Sequence, residues 1–191
     1  MKTITIEVPD GKNAKWVNGV LTIVDEQYNP PVTERIKTFE DACRELDKRA
    51  ESNEGIALLL ADYESNADNI KTNSTKAYMK LCIIAAALNE GWEPKFTTGE
   101  YRYYPWFCLY TQKEIDKMDE EKKKSLVLFG GGSHDGAACG LASADSADAW
   151  AAANSCISAR LAVKTDELAE YFGKQFIDIW ADYVLQPQVE Y

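Results

Sequence analysis

The chain has one histidine, His134, among its 191 residues, so any imidazole base or metal ligand in it must be that residue. Cysteines are also few: no two of the five have the two-residue spacing of a zinc knuckle, and their odd number does not suit a disulfide framework. They stand at Cys43, Cys82, Cys108, Cys139 and Cys156. We expect reduced and mostly buried thiols, no metal and no cofactor.

Basic charge and long apolar runs are lacking as well. The chain has 21 Lys and Arg against 31 Asp and Glu, and its net charge of −10 repels a phosphate backbone, so nucleic acid is not an expected partner. The longest apolar run, residues 81–88, is too short for a membrane span, and the N-terminus has no apolar targeting segment. We expect a soluble protein, without membrane insertion, made in a cytoplasm.

Apolar residues still make up 46% of the chain, enough for the core of one domain with an arm. Residues 3–8 alternate apolar and polar side chains, which predicts a half-buried strand. Asn18-Gly19 suits a type I′ turn between two short apolar runs and predicts a β-hairpin. Two prolines after Asn29 predict a linker, which separates an arm of residues 1–31 from a domain of residues 32–191.

Helical periodicity organises the first half of the domain. Residues 39–50 are predicted as a short amphipathic helix with Thr38 as its N-cap. Residues 54–63 favour a helix over a strand, residues 65–73 are predicted as a loop, and a longer helix is predicted to start at Ser74.

The second half mixes predicted strands with a last helix. Strands are predicted over residues 101–110, with Pro105 at an edge or bulge, and over residues 126–129 and 157–163. Thr165 is predicted to cap a closing amphipathic helix that runs to about residue 185. The order of elements predicts an α+β fold with a mostly antiparallel sheet, an N-terminal β-hairpin arm, two to three helices and the C-terminal amphipathic helix.

Aromatic side chains are concentrated in residues 101–110, YRYYPWFCLY. The cluster of Tyr101, Tyr103, Tyr104, Trp106, Phe107 and Tyr110 would form a stacking platform for sugars or bases. We favour burial for most of these rings, because large aromatic side chains are mostly found in the core. Both interpretations stay open at this point.

Glycine-rich residues 130–136, GGGSHDG, carry no recognisable catalytic arrangement. A phosphate-binding loop needs a lysine and a hydroxyl after its last glycine, and neither follows here. Ser133, His134 and Asp135 are consecutive, whereas a catalytic triad is assembled across a fold. We therefore predict no catalytic residue, and a hydrolase that uses His134 ranks last among the functional hypotheses.

The segment that follows is rich in small residues, since nine of the 17 residues in 137–153 are alanine. Alanine favours a helix, but Ser, Asp and Asn recur without a repeating apolar face, so a long loop is preferred. Long loops in compact domains are usually functional. We therefore predict a display loop over residues 130–156. Its predicted ligand-contacting residues are Ser133, His134, Asp135, Ser143, Asp145, Ser146, Asp148, Trp150 and Asn154, joined by Tyr103 and Trp106 from the aromatic stretch.

Several blocks resemble a protein family of gut Bacteroidetes and their phages and prophages. The blocks are KTFEDACREL at residues 37–46, ALNEGW with a following proline at 87–94, YYPWF at 103–107, and SARLAVKT with ELAEYFGKQFIDIW at 158–180. The resemblance covers about residues 38–185 and is specific as a set. It implies phage or mobile-element ancestry, hence synthesis in the cytoplasm of a bacterial host, and it carries no catalytic residue across.

Residues 130–164 also resemble the variable region of C-type-lectin-like ligand-binding domains of phages. The shared features are a glycine-rich strand end, a segment rich in Ser, Asp, Ala and Asn, and a closing strand with Arg160-Leu161. The chain departs from that pattern in the residues before Arg160 and in the long helix that follows. This resemblance implies that a fixed scaffold displays loop side chains to a ligand.

Together these observations predict a non-enzymatic phage-encoded protein that is virion-associated or binds a host ligand through residues 130–156. Its expected partners are a protein or glycan ligand, other virion proteins, or further copies of the chain. The alternative is an intracellular phage accessory protein that binds a host protein or small molecule through an aromatic cleft.

Overall fold

The computed structural model describes residues 5–17, 19–25, 28–95, 97, 99–124, 127–129, 139–148 and 159–184. The chain forms two compact units, Met1–Pro31 and Val32–Tyr191. Within the described residues, no helix has the length and apolar character needed to cross a bilayer.

The first unit contains a β-hairpin. Strands β1 (Lys12–Val17) and β2 (Val20–Asp25) pair antiparallel, and Gly19 adopts φ 79° in the connection, so the hairpin prediction is confirmed. The predicted strand over residues 3–8 is wrong for residues 5–8, which form no strand. Alternation decides which side chains would share a face, but a strand also needs a neighbouring strand for its backbone hydrogen bonds. Ile6 and Val8, the apolar residues of the alternation, remain exposed.

The second unit begins with four helices: α1 (Val32–Arg35), α2 (Phe39–Ala50), α3 (Glu54–Asn66) and α4 (Asn73–Leu88). Thr38 caps α2 as predicted, because its hydroxyl accepts from the Asp41 backbone N–H while the Asp41 carboxylate accepts from the Thr38 N–H. The bounds of α2 match the prediction, and the preference for a helix at residues 54–63 is confirmed. Helix α3 extends into the predicted loop as far as Asn66.

Helix α4 forms the centre of the second unit. It contacts α2 and α3 and the two C-terminal helices described below, and side chains on nearly every face of its second half are buried. A helix that is apolar all round must lie inside the fold, which accounts for its run of Leu, Cys, Ile and Ala. The buried residues are Ala77, Leu81, Cys82, Ile83, Ile84, Ala85, Ala87 and Leu88.

Three antiparallel strands form the sheet of the second unit. Strands β3 (Tyr103–Tyr110), β5 (Cys139–Asp148) and β4 (Val127–Phe129) lie in the order β3-β5-β4. Between β3 and β4 are two short helices, α5 (Gln112–Asp116) and α6 (Glu120–Lys124). The α+β prediction, with an antiparallel sheet, is confirmed.

Pro105 lies in the edge strand β3, as predicted, and a bulge follows between Trp106 and Phe107. Tyr103 exchanges two backbone hydrogen bonds with Val163 on the side of β3 away from β5. Residues two apart in a strand direct their N–H groups to the same side, so the missing N–H of Pro105 faces away from β5. Proline therefore costs the β3–β5 ladder no hydrogen bond.

The loop predicted over residues 137–153 is wrong for residues 139–148. These residues form β5, the middle strand, which pairs with β3 on one side and β4 on the other. The sequence contains no local apolar pattern for this strand, and its hydrogen-bonding partners in β3 lie 30 or more residues away. Backbone pairing between two neighbours fixes the extended conformation that the side chains alone do not favour.

The strand predicted over residues 157–163 is also wrong where the structure describes it. Residues Ala159–Leu161 form a 3₁₀ helix, and Val163 makes only an isolated bridge to Tyr103. Leu161, Ala162 and Val163 are all buried. These residues are apolar because they pack in the core, although they form no extended ladder. A buried apolar run of this length has the same sequence pattern as a strand, which accounts for the wrong prediction.

The closing helix is divided into α7 (Asp166–Gln175) and α8 (Ile177–Val184). Thr165 caps α7, as predicted, but Phe176 leaves the helical conformation at φ −115° and ψ 29°. The Trp180 indole N–H donates to the Phe172 carbonyl at 3.2 Å, the carbonyl that would accept from residue 176 in a continuous helix. Both helices pack on the sheet, and Phe172, Phe176 and Trp180 are buried there.

Candidate ligand-binding surface

The structure places two predicted groups of ligand-contacting residues on neighbouring strands. In the β3–β5 register, Tyr103 lies opposite Asp148, and Trp106 lies opposite Asp145. Directly paired residues of an antiparallel ladder have Cα atoms about 4.5–5.5 Å apart. Successive residues of a strand alternate between faces, so Trp106 lies on the opposite face of β3 from Tyr103, Pro105 and Phe107, whose ring packs against Trp180. We call the exposed face of β3 at Trp106, together with the register partner Asp145, the β3–β5 surface.

Ser143 and Ser146 belong to the same ladder, opposite Phe107 and Pro105 respectively. Residues about 40 positions apart in sequence are thereby brought together by backbone pairing alone. The other predicted contact residues, Ser133, His134, Asp135, Trp150 and Asn154, lie outside the described residues.

The aromatic side chains of residues 101–110 divide between solvent and core. Trp106 is 57% exposed and Tyr101 is 48% exposed, and the Tyr101 and Tyr103 rings are stacked with centroids 6.5 Å apart. Tyr104 is buried, and the Phe107 ring packs against Trp180 at 5.3 Å between centroids. The burial expected for most of the rings holds for Tyr104 and Phe107, whereas Tyr101 and Trp106 are exposed.

The register skips Ala144 between Asp145 and Ser143, so the extra residue of the bulge belongs to β5. Trp106 is exposed while Tyr104, two positions earlier on β3, is buried. Period-two alternation alone therefore does not predict which of these rings is exposed.

Two of the described cysteines have raised pKa values. Burial raises the pKa of the Cys82 thiol, and burial together with nearby carboxylates raises the pKa of Cys43 to about 11. Both thiols are therefore poor nucleophiles at neutral pH. Within the described part of the chain, no group of three or more His, Cys, Asp and Glu residues could hold a metal ion.

Arg102 is a buried charged residue that the sequence interpretation did not single out. It has no exposed surface, and its positive charge opposes the burial that raises the pKa of the buried Tyr104 phenol. Arg102 lies between two tyrosines just before β3, and no local pattern there indicates its burial.

A second feature missed by the sequence interpretation is a cleft between α3 and α4, which also involves Arg160. Its lining contains no aromatic side chain, so it is not the aromatic cleft of the alternative hypothesis. Small residues at one face of each helix, Gly55 on α3 and Ala86 on α4, were the available indication in the sequence.

Comparison with known proteins adds no identification. No protein-family model, no curated protein and no solved structure matches the chain.

Proposed function

We propose that the protein is a non-enzymatic binding protein whose β3–β5 surface contacts its ligand, a glycan or a protein. The main support is the exposed indole of Trp106 on a strand whose register partner is Asp145. Trp and Tyr are the residues that most often dominate binding energy at interfaces.

The chemistry of the β3–β5 surface suits this role. The tryptophan ring offers a rigid apolar face, while an aspartate carboxylate accepts hydrogen bonds from hydroxyl or amide groups of a ligand. The net charge of −10 disfavours an anionic polymer at the same place. The display region proposed here is therefore a sheet surface, in place of the loop expected over residues 139–148.

The biological setting is proposed from the family resemblance. It implies a phage-encoded chain made in a bacterial cytoplasm, which is virion-associated or binds a host ligand. Mass spectrometry of purified virions tests this setting: recovery of the chain in particles supports the virion-associated version, and its absence argues against it.

Replacement of Trp106 by alanine tests the binding surface directly. We expect ligand affinity to fall by about 30-fold, because loss of a dominant Trp contact costs about 2 kcal/mol or more. The probes are an array of bacterial surface glycans and, for a protein ligand, purified host envelope proteins, with affinity measured by calorimetry for each positive probe.

The matched control is Trp16→Ala, which removes a 73% exposed indole from the hairpin of the first unit. Binding that survives Trp106→Ala but is lost in Trp16→Ala would contradict the assignment of the β3–β5 surface. Unchanged melting temperatures in both variants would show that the comparison reports on binding.

A further inference from the structure

A cleft of about 610 Å³ lies between α3 and α4, apart from the β3–β5 surface. Its α3 wall consists of Gly55, Leu58, Leu59 and Asp62, whose spacings of three and four residues place them on one helix face. The volume falls within the range of about 300–1,000 Å³ that is typical of small-molecule sites. The cleft is therefore large enough to enclose much of a ligand.

Small side chains create this space. Cys82 and Ala86, one turn apart on α4, form the opposite wall, and Gly55 contributes no side chain on the α3 side. A Cβ atom at Gly55 would lie 3.3 Å from the Asn53 Oδ1 atom, which accepts the capping hydrogen bond from the Ile56 N–H. The α3 N-terminus thus favours glycine at the position where a side chain would enter the cleft.

The cleft combines an apolar lining with charges of both signs. Ile56 and Cys82 are buried in its two walls, and Leu58 is 57% exposed. Arg160 contributes a guanidinium from the 3₁₀ helix, close enough to Cys82 to oppose the burial that raises the thiol pKa. Asp62 lines the cleft as an exposed carboxylate.

Glu93, which follows α4, adds a second exposed carboxylate to the lining. A ligand with only a negative or only a positive group would meet repulsion from one part of this lining. A molecule with an ammonium at one end, a carboxylate at the other and an apolar body is complementary to the carboxylates, the guanidinium and the apolar lining of the cleft. Guanidinium also binds carboxylate in a bidentate geometry, which favours Arg160 for the acidic end.

We propose that the α3–α4 cleft binds a short apolar peptide with free termini. Its carboxylate pairs with Arg160, its ammonium pairs with Asp62 or Glu93, and its side chains cover Leu58. A cleft of this volume exceeds what a single amino acid fills, which favours a peptide of a few residues. This site is independent of the function proposed for the β3–β5 surface.

The first test uses the unmodified protein and three forms of one peptide. The probes are Leu-Ala-Leu, its N-acetylated form and its C-terminal amide, titrated into ¹⁵N-labelled protein with amide chemical shifts as the readout. We expect saturable shifts at Gly55, Leu58 and Ala86 with the free peptide. Blocking either terminus should weaken binding about tenfold or more, because each removes a charge-assisted hydrogen bond.

Two variants assign the contacts. Arg160→Met should weaken the free peptide about tenfold and leave the amide form unchanged, since the amide has already lost the paired carboxylate. Leu58→Glu should abolish binding of all three probes, and the fold tolerates it because that side chain is mostly exposed. The controls are Glu64→Gln and Lys71→Met, neighbouring charges that do not line the cleft and should leave affinity unchanged.

Three results would overturn the proposal. The first is the absence of saturable shifts with the free peptide at roughly 10 mM, beyond any useful affinity. The second is equal binding of the free and blocked peptides, which would indicate apolar contact alone. The third is binding that survives Leu58→Glu in a folded protein, which would place the peptide elsewhere.

Discussion

Replacing Asn89 by alanine is expected to destabilise the second unit far more than an ordinary surface substitution. Asn89 is the C-cap of α4 and is only 5% exposed. Its side-chain amide donates to the Ala162 carbonyl at 2.8 Å and accepts from the Lys164 N–H at 3.1 Å. One side chain therefore joins the end of the central helix to a segment more than 70 residues later.

The magnitude follows from the two backbone groups that the variant would leave without a partner. A buried polar group that loses its only partner costs about 1–3 kcal/mol. Ala162 is buried, so its carbonyl carries a full cost, while the Lys164 N–H is part-buried and partly recovered by water. We expect a loss of about 2–4 kcal/mol, or about 5–15 °C in melting temperature for a unit of this size.

Asn89→Asp tests the donated hydrogen bond separately, because among the heavy atoms it changes only the side-chain amide nitrogen, which becomes an oxygen. The aspartate still accepts from the Lys164 N–H, but it places a second oxygen against the Ala162 carbonyl. Its protonated form can donate to that carbonyl, so its pKa in the folded state should lie above the ordinary value. The difference in free energy of unfolding between Asn89→Asp and the parent protein should therefore be largest at neutral pH and become smaller as the pH falls.

Urea denaturation followed by circular dichroism measures both effects. The control is Asn66→Ala, which also removes an asparagine donor bond, to the Asp62 carbonyl at 2.8 Å, but at an exposed position. That change should cost no more than about 0.5 kcal/mol. If Asn89→Ala and Asn66→Ala prove equally mild, the link between α4 and residues 162–164 does not stabilise the fold.

Two further predictions concern titratable side chains. The Tyr171 hydroxyl donates to the Ile36 carbonyl at 2.6 Å, and burial, with a smaller effect of Asp41, raises its pKa from 10.0 to about 12. The stabilisation by this hydroxyl is therefore complete below pH 10 and is lost as the pH rises towards 12. Tyr171→Phe should lower the free energy of unfolding by about 1 kcal/mol at pH 7 and reduce its fall at alkaline pH. Urea midpoints at several pH values measure this, and equal behaviour of the exposed control Tyr101→Phe would contradict it. The pKa of Cys43 is raised to about 11, mainly by burial and further by Asp47, Glu40 and Glu64. At pH 8 this thiol should react with iodoacetamide about 100-fold more slowly than a free thiol of pKa 9.0, as followed by mass spectrometry. Labelling of the folded protein at the rate of a free thiol would refute this prediction.

The features that the sequence predicted well are those whose interactions span a few residues. Thr38 and Asp41 form a capping box three residues apart, and Gly19 turns a two-residue hairpin loop. Thr165 accepts from the Leu168 N–H in the same way. Such local hydrogen bonds have the same partners in the isolated segment as in the folded protein, so residue type and spacing suffice to predict them.

The candidate site was predicted only in its parts. Exposed Trp106 and the Ser and Asp residues of 143–148 were identified separately, as an aromatic stretch and as a presumed loop. Their meeting depends on the pairing of β3 with β5, which no pattern within either segment specifies. The α3–α4 cleft likewise depends on which helix faces oppose each other, and on the position of Arg160 from a distant segment.

Sequence by itself determined the N-caps of α2 and α7, the hairpin turn, the amphipathic faces of these two helices and the α+β class. Only tertiary structure decided that residues 139–148 are the middle strand, that residues 159–161 coil into a 3₁₀ helix and that Phe176 divides the last helix. The physical reason is the distance between partners along the chain. Backbone pairing of β5 with β3, and the bond from Trp180 to the Phe172 carbonyl, depend on the packing of elements that a local pattern does not contain.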